Sequence, residues 1–231
     1  MTRYITSFIL VGVALLNVTA SARGGPGTLS SATLVSVQEW VGPYSFTYTE
    51  QGRSSDGRVF HRETEIASGE ATFTMYEPGG YRGTARAFAS YNDSSAGGCD
   101  PGPDPTITRW ARGTGTPATD LDISRHSYNW DVRAFKAGAG GSGTCGKPKS
   151  HRYIDIYPGI PEGVRIPLPS TLVLCGTLDV GKKYRFGGFA HMTGSWAFYP
   201  QGRLPKGQVL RHLPKGCAHI GQSEAKRYIN W

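Results

Sequence analysis

Residues 69–92 read GEATFTMYEPGGYRGTARAFASYN, and this stretch decides the fold class. Ala71, Phe73 and Met75 alternate with Thr72, Thr74 and Tyr76, the period of two of a strand with one buried face. Glu77-Pro78-Gly79-Gly80 is a strong turn signal. Beyond it Ala85, Ala87, Ala89 and Tyr91 share one face, and Thr84, Arg86, Phe88 and Ser90 share the other. The pattern predicts an antiparallel hairpin. Its small alanines, opposite Phe73 and Met75, let another layer come close.

Working outward, the same rhythm recurs. Strands are expected over residues 33–40 and 44–50, with Gly42-Pro43 turning the chain between them. Residues 54–57 are a turn, and the polar stretch 59–66 reads as an edge strand. Downstream, residues 93–105 form a loop around Cys99. Strands follow over 106–112, 121–124 and 128–137, and then a Gly-rich loop over 136–150 around Cys145. Residues 151–157 alternate well, 158–169 cross in extended form, and 172–178 is the most apolar strand. Residues 183–190 and 195–200 suggest a second hairpin turning at Met192-Thr193-Gly194. One helical turn fits within 205–214, and a short helix fits 223–228. With 32 Gly and 15 Pro to make turns, the expected fold is all-β. It is an antiparallel β-sandwich, or a partly open barrel, of roughly ten short strands with a short C-terminal helix.

The N-terminus points to export. Arg3 precedes an apolar run over residues 5–18, and Ala20-Ser21-Ala22 offers a small-x-small cleavage site. Together these are the parts of a secretory signal peptide, expected over residues 1–22. The run is shorter than the ~20 residues of a membrane span. Residues 23–32 are then a flexible lead-in, and 33–231 a single β domain in the periplasm or outside the cell. Cys99, Cys145, Cys175 and Cys217 make an even set that suits two disulfides in an oxidising compartment. Three pairings are open. The two cysteines in Gly-rich loops favour 99–145, and the two in the C-terminal third favour 175–217. With no C-x-x-C or C-x-x-H pair, no metal site is expected.

Charge is uneven. Residues 23–130 hold nine Arg and no Lys against twelve acids, whereas residues 131–231 hold fifteen Lys and Arg against five acids. A basic half favours an anionic surface, glycan or acidic protein, or merely keeps the chain soluble. Nucleic acid is not an expected partner of an exported chain. Within residues 147–157 Lys147, Lys149 and Arg152 interleave with Tyr153 and Tyr157, a mixture in which rings stack and cations meet anions. These five are the candidate binding residues. Most of the five Trp read as core anchors before they read as a sugar platform.

Catalytic signatures are sparse. There is no H-E-x-x-H, no G-x-S-x-G and no phosphate-binding Gly loop opening a helix, and no cofactor is expected. His61, Glu63 and Glu65 share a strand face, as do His151, Tyr153 and Asp155. A His beside a carboxylate can move protons in phosphodiester or glycoside cleavage. His61 with Glu63, and His151 with Asp155, are therefore the candidate pairs of a small basic hydrolase. The plainer alternative for each is a charged strand edge.

Leu174-Cys175-Gly176, residues 180–184, Gly187-Gly188 and Gly216-Cys217 together resemble the C-terminal end of netrin-like, metalloproteinase-inhibitor-like modules. The Cys-x-Cys start of those modules is absent, and with it the residue that would contact a target metal. No residue role carries over. The expected function is an exported, non-enzymatic binding domain. A secreted hydrolase, or an inhibitor or immunity-type protein, are the alternatives.

Overall fold

The 69–92 hairpin forms as its pattern predicts, but inside a much larger sheet. The computed structural model describes residues 31–96, 106–143, 153–156, 164–207 and 209–222. The strands are β1 (Glu39–Arg53), β2 (Val59–Glu77), β3 (Gly80–Ala96), β4 (Thr106–Gly115), β5 (Ala118–Ile123), β6 (Ser127–Val132), β7 (Phe135–Gly143), β8 (Tyr153–Ile156), β9 (Ile166–Pro167), β10 (Leu174–Lys183), β11 (Phe189–Pro200) and β12 (Ala218–Ile220). The hairpin is β2 and β3, with Glu77 facing Gly80 across Pro78-Gly79. Pro presets the first turn position, and Gly79 takes the φ of +84° that the second requires.

All the strands among the described residues join one sheet, nearly closed into a barrel. Its order runs β12-β10-β11-β1-β2-β3, and the sheet forks at β3. The first residues of β3 pair with β5, which leads on to β6 and β9. Its last ten pair with β4, which leads to β7 and β8. β9 comes round against β12, and this nearly closes the ring.

Inside the ring lies an aromatic core. Trp40, Tyr44, Phe73, Tyr128, Trp196 and Phe198 are fully buried. Phe198 meets Phe73 at 5.0 Å and Trp130 edge-on at 4.9 Å. Each large apolar side chain so buried contributes ~1.5–3 kcal/mol. Trp40, Trp130 and Trp196 are thus core anchors, as expected, while Trp110 on β4 is 45% exposed. A second, smaller core of Ala67, Ala87, Ala89, Ala111 and Ala137, with Tyr91 against it, joins β2 and β3 to β4 and β7. Leu34, in a helical turn over Ser31–Leu34, plugs into the aromatic core.

Several expectations are corrected. Of the two architectures, the nearly closed barrel is the one formed. The sheet is mixed rather than purely antiparallel, because β12 runs parallel to β10. The strands are not uniformly short: β1, β2 and β3 hold 15, 19 and 17 residues. Gly42-Pro43 does not turn the chain; it lies within β1, where a Cβ at Gly42 would collide with the Ala197 carbonyl of β11. Met192-Thr193-Gly194 likewise lies inside β11, and the second hairpin turns at residues 184–188 instead. Residues 59–66 are not an edge, since β2 is paired on both sides. Residues 136–143 of the expected Gly-rich loop belong to β7, because flanking strands use its backbone even where it offers no side chain.

Cys175 and Cys217 are bridged, as expected, with Cα atoms 4.9 Å apart. Such a bond belongs to a non-cytoplasmic, oxidising setting. No helix among the described residues is long and apolar enough to cross a membrane. Residues 1–30, Cys99, Cys145 and the helix expected over 223–228 lie outside the described residues.

Candidate functional site

The inward face of the sheet changes character along β1, β2 and β3. Side chains alternate, so Phe46, Tyr48 and Glu50 follow one another on one face of β1. On β2 the matching sequence is Ala67, Glu65, Glu63 and His61; on β3 it is Ala89, Tyr91 and Asp93. Register aligns them. Glu50 pairs with Glu63, and Glu63 pairs with Asp93. Three carboxylates therefore stand in a row across three adjacent strands. Like charges directly opposite one another destabilise a sheet, so this row needs compensation.

His61 supplies part of it. Its Nε2 lies 3.6 Å from Glu63 Oε2 and its Nδ1 lies 3.3 Å from Asp93 Oδ1. The side chains of His61 and Glu63 are three-quarters buried, and Asp93 is only 8% exposed. Burial holds the Glu63 carboxyl above its usual range, and Asp93 and Glu50 push the same way against the opposing pull of His61. Glu50 accepts a short hydrogen bond from Tyr48 Oη. Burial first, and then Glu50, pushes the Tyr48 and Tyr184 phenols upward, so both remain donors. Asp93 Oδ1 is buried without a hydrogen bond among the described residues.

The sequence pair His61 and Glu63 is thus brought together, and Glu50 and Asp93 join it. Those two were missed because cross-strand register leaves no mark on the local pattern. The only hint is that each is an acid at an inward position of its strand. Asp155 and Tyr153 lie on β8, where Asp155 pairs with Lys136. His151, Lys147, Lys149, Arg152 and Tyr157 lie outside the described residues.

A second polar feature sits on the outer face of β10, β11 and β12. His191 Nε2 lies 2.8 Å from Asp179 Oδ1, and His219 Nδ1 lies 2.8 Å from Thr177 Oγ1. Both histidines line a shallow groove with Lys183 and the exposed ring of Phe189. The His191–Asp179 contact is solvent-exposed and contributes little to stability.

No protein-family model, curated protein or solved structure matches this chain.

Proposed function

We propose that the chain is an exported binding protein that takes a cationic ligand at the acidic row on the inner face of its barrel. The observation that carries this is the opposition of Glu50, Glu63 and Asp93 across three adjacent strands, with His61 against two of them. A fold that keeps mutually repelling, partly buried carboxylates sacrifices stability there, which is typical of a site kept for a ligand. The signal-like N-terminus and the Cys175–Cys217 bridge support export. Native mass spectrometry of the protein recovered from its own host tests the proposal. A bound species should be present in the wild type and absent from the Glu50→Gln/Glu63→Gln variant. Identical spectra would overturn it.

The outer groove favours a second reading. Two exposed histidines beside Lys183, in the basic half, suit an anionic ligand such as a phosphate or sulfate ester. Salt-sensitive retention on a sulfated matrix, weakened by Lys183→Glu, is the expected result. Retention unchanged by that substitution would discard it.

A further inference from the structure

The acidic row has the donors, and the orienting partners, of a metal site. Glu50, His61 and Glu63 each offer one ligand atom, all within 4.8 Å of one another. Two ligands bound ~2.1 Å from one ion stand at most about 4.2 Å apart. The His61–Glu63 separation of 3.6 Å already satisfies that limit, and the three ligand atoms all lie within 4.8 Å of one another. A metal-bound histidine nearly always donates its other ring N–H to a carboxylate or carbonyl. Asp93 is placed for this: its Oδ1 is buried, lacks a hydrogen bond among the described residues and faces His61 Nδ1 at 3.3 Å. A proton on Nδ1 turns the Nε2 lone pair toward Glu63 and Glu50. Tyr48 does the equivalent for Glu50 by donating to one of its oxygens.

We infer that Glu50, His61 and Glu63 bind one divalent transition-metal ion, with Asp93 as the positioning residue that fixes His61 through Nδ1. An imidazole with two carboxylates suits zinc or manganese better than calcium or magnesium, which prefer all-oxygen sites. Three protein ligands leave coordination positions open for water or a ligand group. The cationic ligand of the proposed function is then the metal itself, so this inference rests on that proposal.

The test uses the full chain with its disulfide intact, stripped with EDTA and titrated calorimetrically with Zn²⁺ and Mn²⁺. One ion per chain should bind. Glu63→Gln and His61→Ala should abolish saturable binding while leaving the circular dichroism spectrum unchanged. Asp93→Asn should weaken binding about 10- to 100-fold. It should also shift the His61 ring ¹⁵N resonances away from the Nδ1–H tautomer, a change that a merely structural role would not produce. Absence of one-to-one binding, or unchanged affinity in folded His61→Ala, would overturn the metal site. A species retained on the wild type in EDTA, but lost from Glu50→Gln/Glu63→Gln, would overturn the metal and leave the cationic ligand standing. Failure to detect either would sink both.

Discussion

The indole N–H of Trp196 donates to Tyr128 Oη at 2.8 Å, in the interior of the barrel. Tyr128 Oη in turn donates to the Cys175 carbonyl at 3.2 Å. Strands β6, β11 and β10 are joined through this chain across the ring rather than along the ladder. Tyr128→Phe leaves a fully buried Trp196 N–H without its acceptor, which costs ~1–3 kcal/mol. A lower urea midpoint with an unchanged slope is expected. An unchanged midpoint would show that this bond does not contribute.

The Cys175–Cys217 bridge joins positions 42 residues apart and fastens the segment leading into β12 to β10. On the chain-entropy account, a loop of that length contributes ~4 kcal/mol. Replacing both cysteines with alanine should lower the melting temperature and loosen β12 before the rest of the sheet. Protection of the Ile220 amide in hydrogen exchange would report this. Equal protection in both proteins would contradict it.

Gly42 is read from the sequence as half of a turn, yet it lies mid-strand under the Ala197 carbonyl. Gly42→Ala forces β1 away from β11, and overpacking of this kind typically costs ~1–3 kcal/mol. Because the obstacle is backbone, the upper end of that range is expected in denaturant unfolding. A stability equal to wild type would mean that the two strands separate without penalty.

Asp122 sits near Asp120 and Glu77, and its carboxyl is pushed up by burial first and then by those two charges, against the pull of Arg82. A folded-state pKa above the unfolded value means the unfolded chain releases this proton at lower pH. Stability is therefore lost as pH rises from the ordinary carboxylate pKa, ~4, through the raised one. Asp122→Asn removes that loss. The variant should melt above wild type at pH 7, and the two should converge below pH ~4. A variant that melts lower at pH 7 would refute the sign.

The β2–β3 hairpin is legible in the sequence because both its strands keep one apolar face and its turn carries Pro78-Gly79. β1 and β11 are not, because Gly42 and Gly194 imitate turn residues. Their small size serves close packing instead: the Phe46 ring occupies the place a Gly194 side chain would take. β7 is hidden for a related reason. Its glycines contribute backbone hydrogen bonds, and no side-chain periodicity records those. Half of the candidate site was legible, since His61 and Glu63 are two residues apart on one strand. Glu50 and Asp93 become neighbours only through registers set by distant turns and bulges.

The fork at β3 also divides the molecule by how firmly each part is held. One arm closes over Trp, Tyr and Phe side chains, and among the described residues the other is packed mainly with alanine methyls, with Tyr91 against them. Methyls remove far less area from water than rings do. Opening should therefore begin in β4 and β7, with amides there exchanging ahead of those in β10 and β11. The acidic row reaches into the looser arm, because Asp93 lies in the part of β3 that pairs with β4. Whatever binds there would act as a clasp, and its arrival should slow the breathing of the weaker arm while leaving the aromatic ring unchanged.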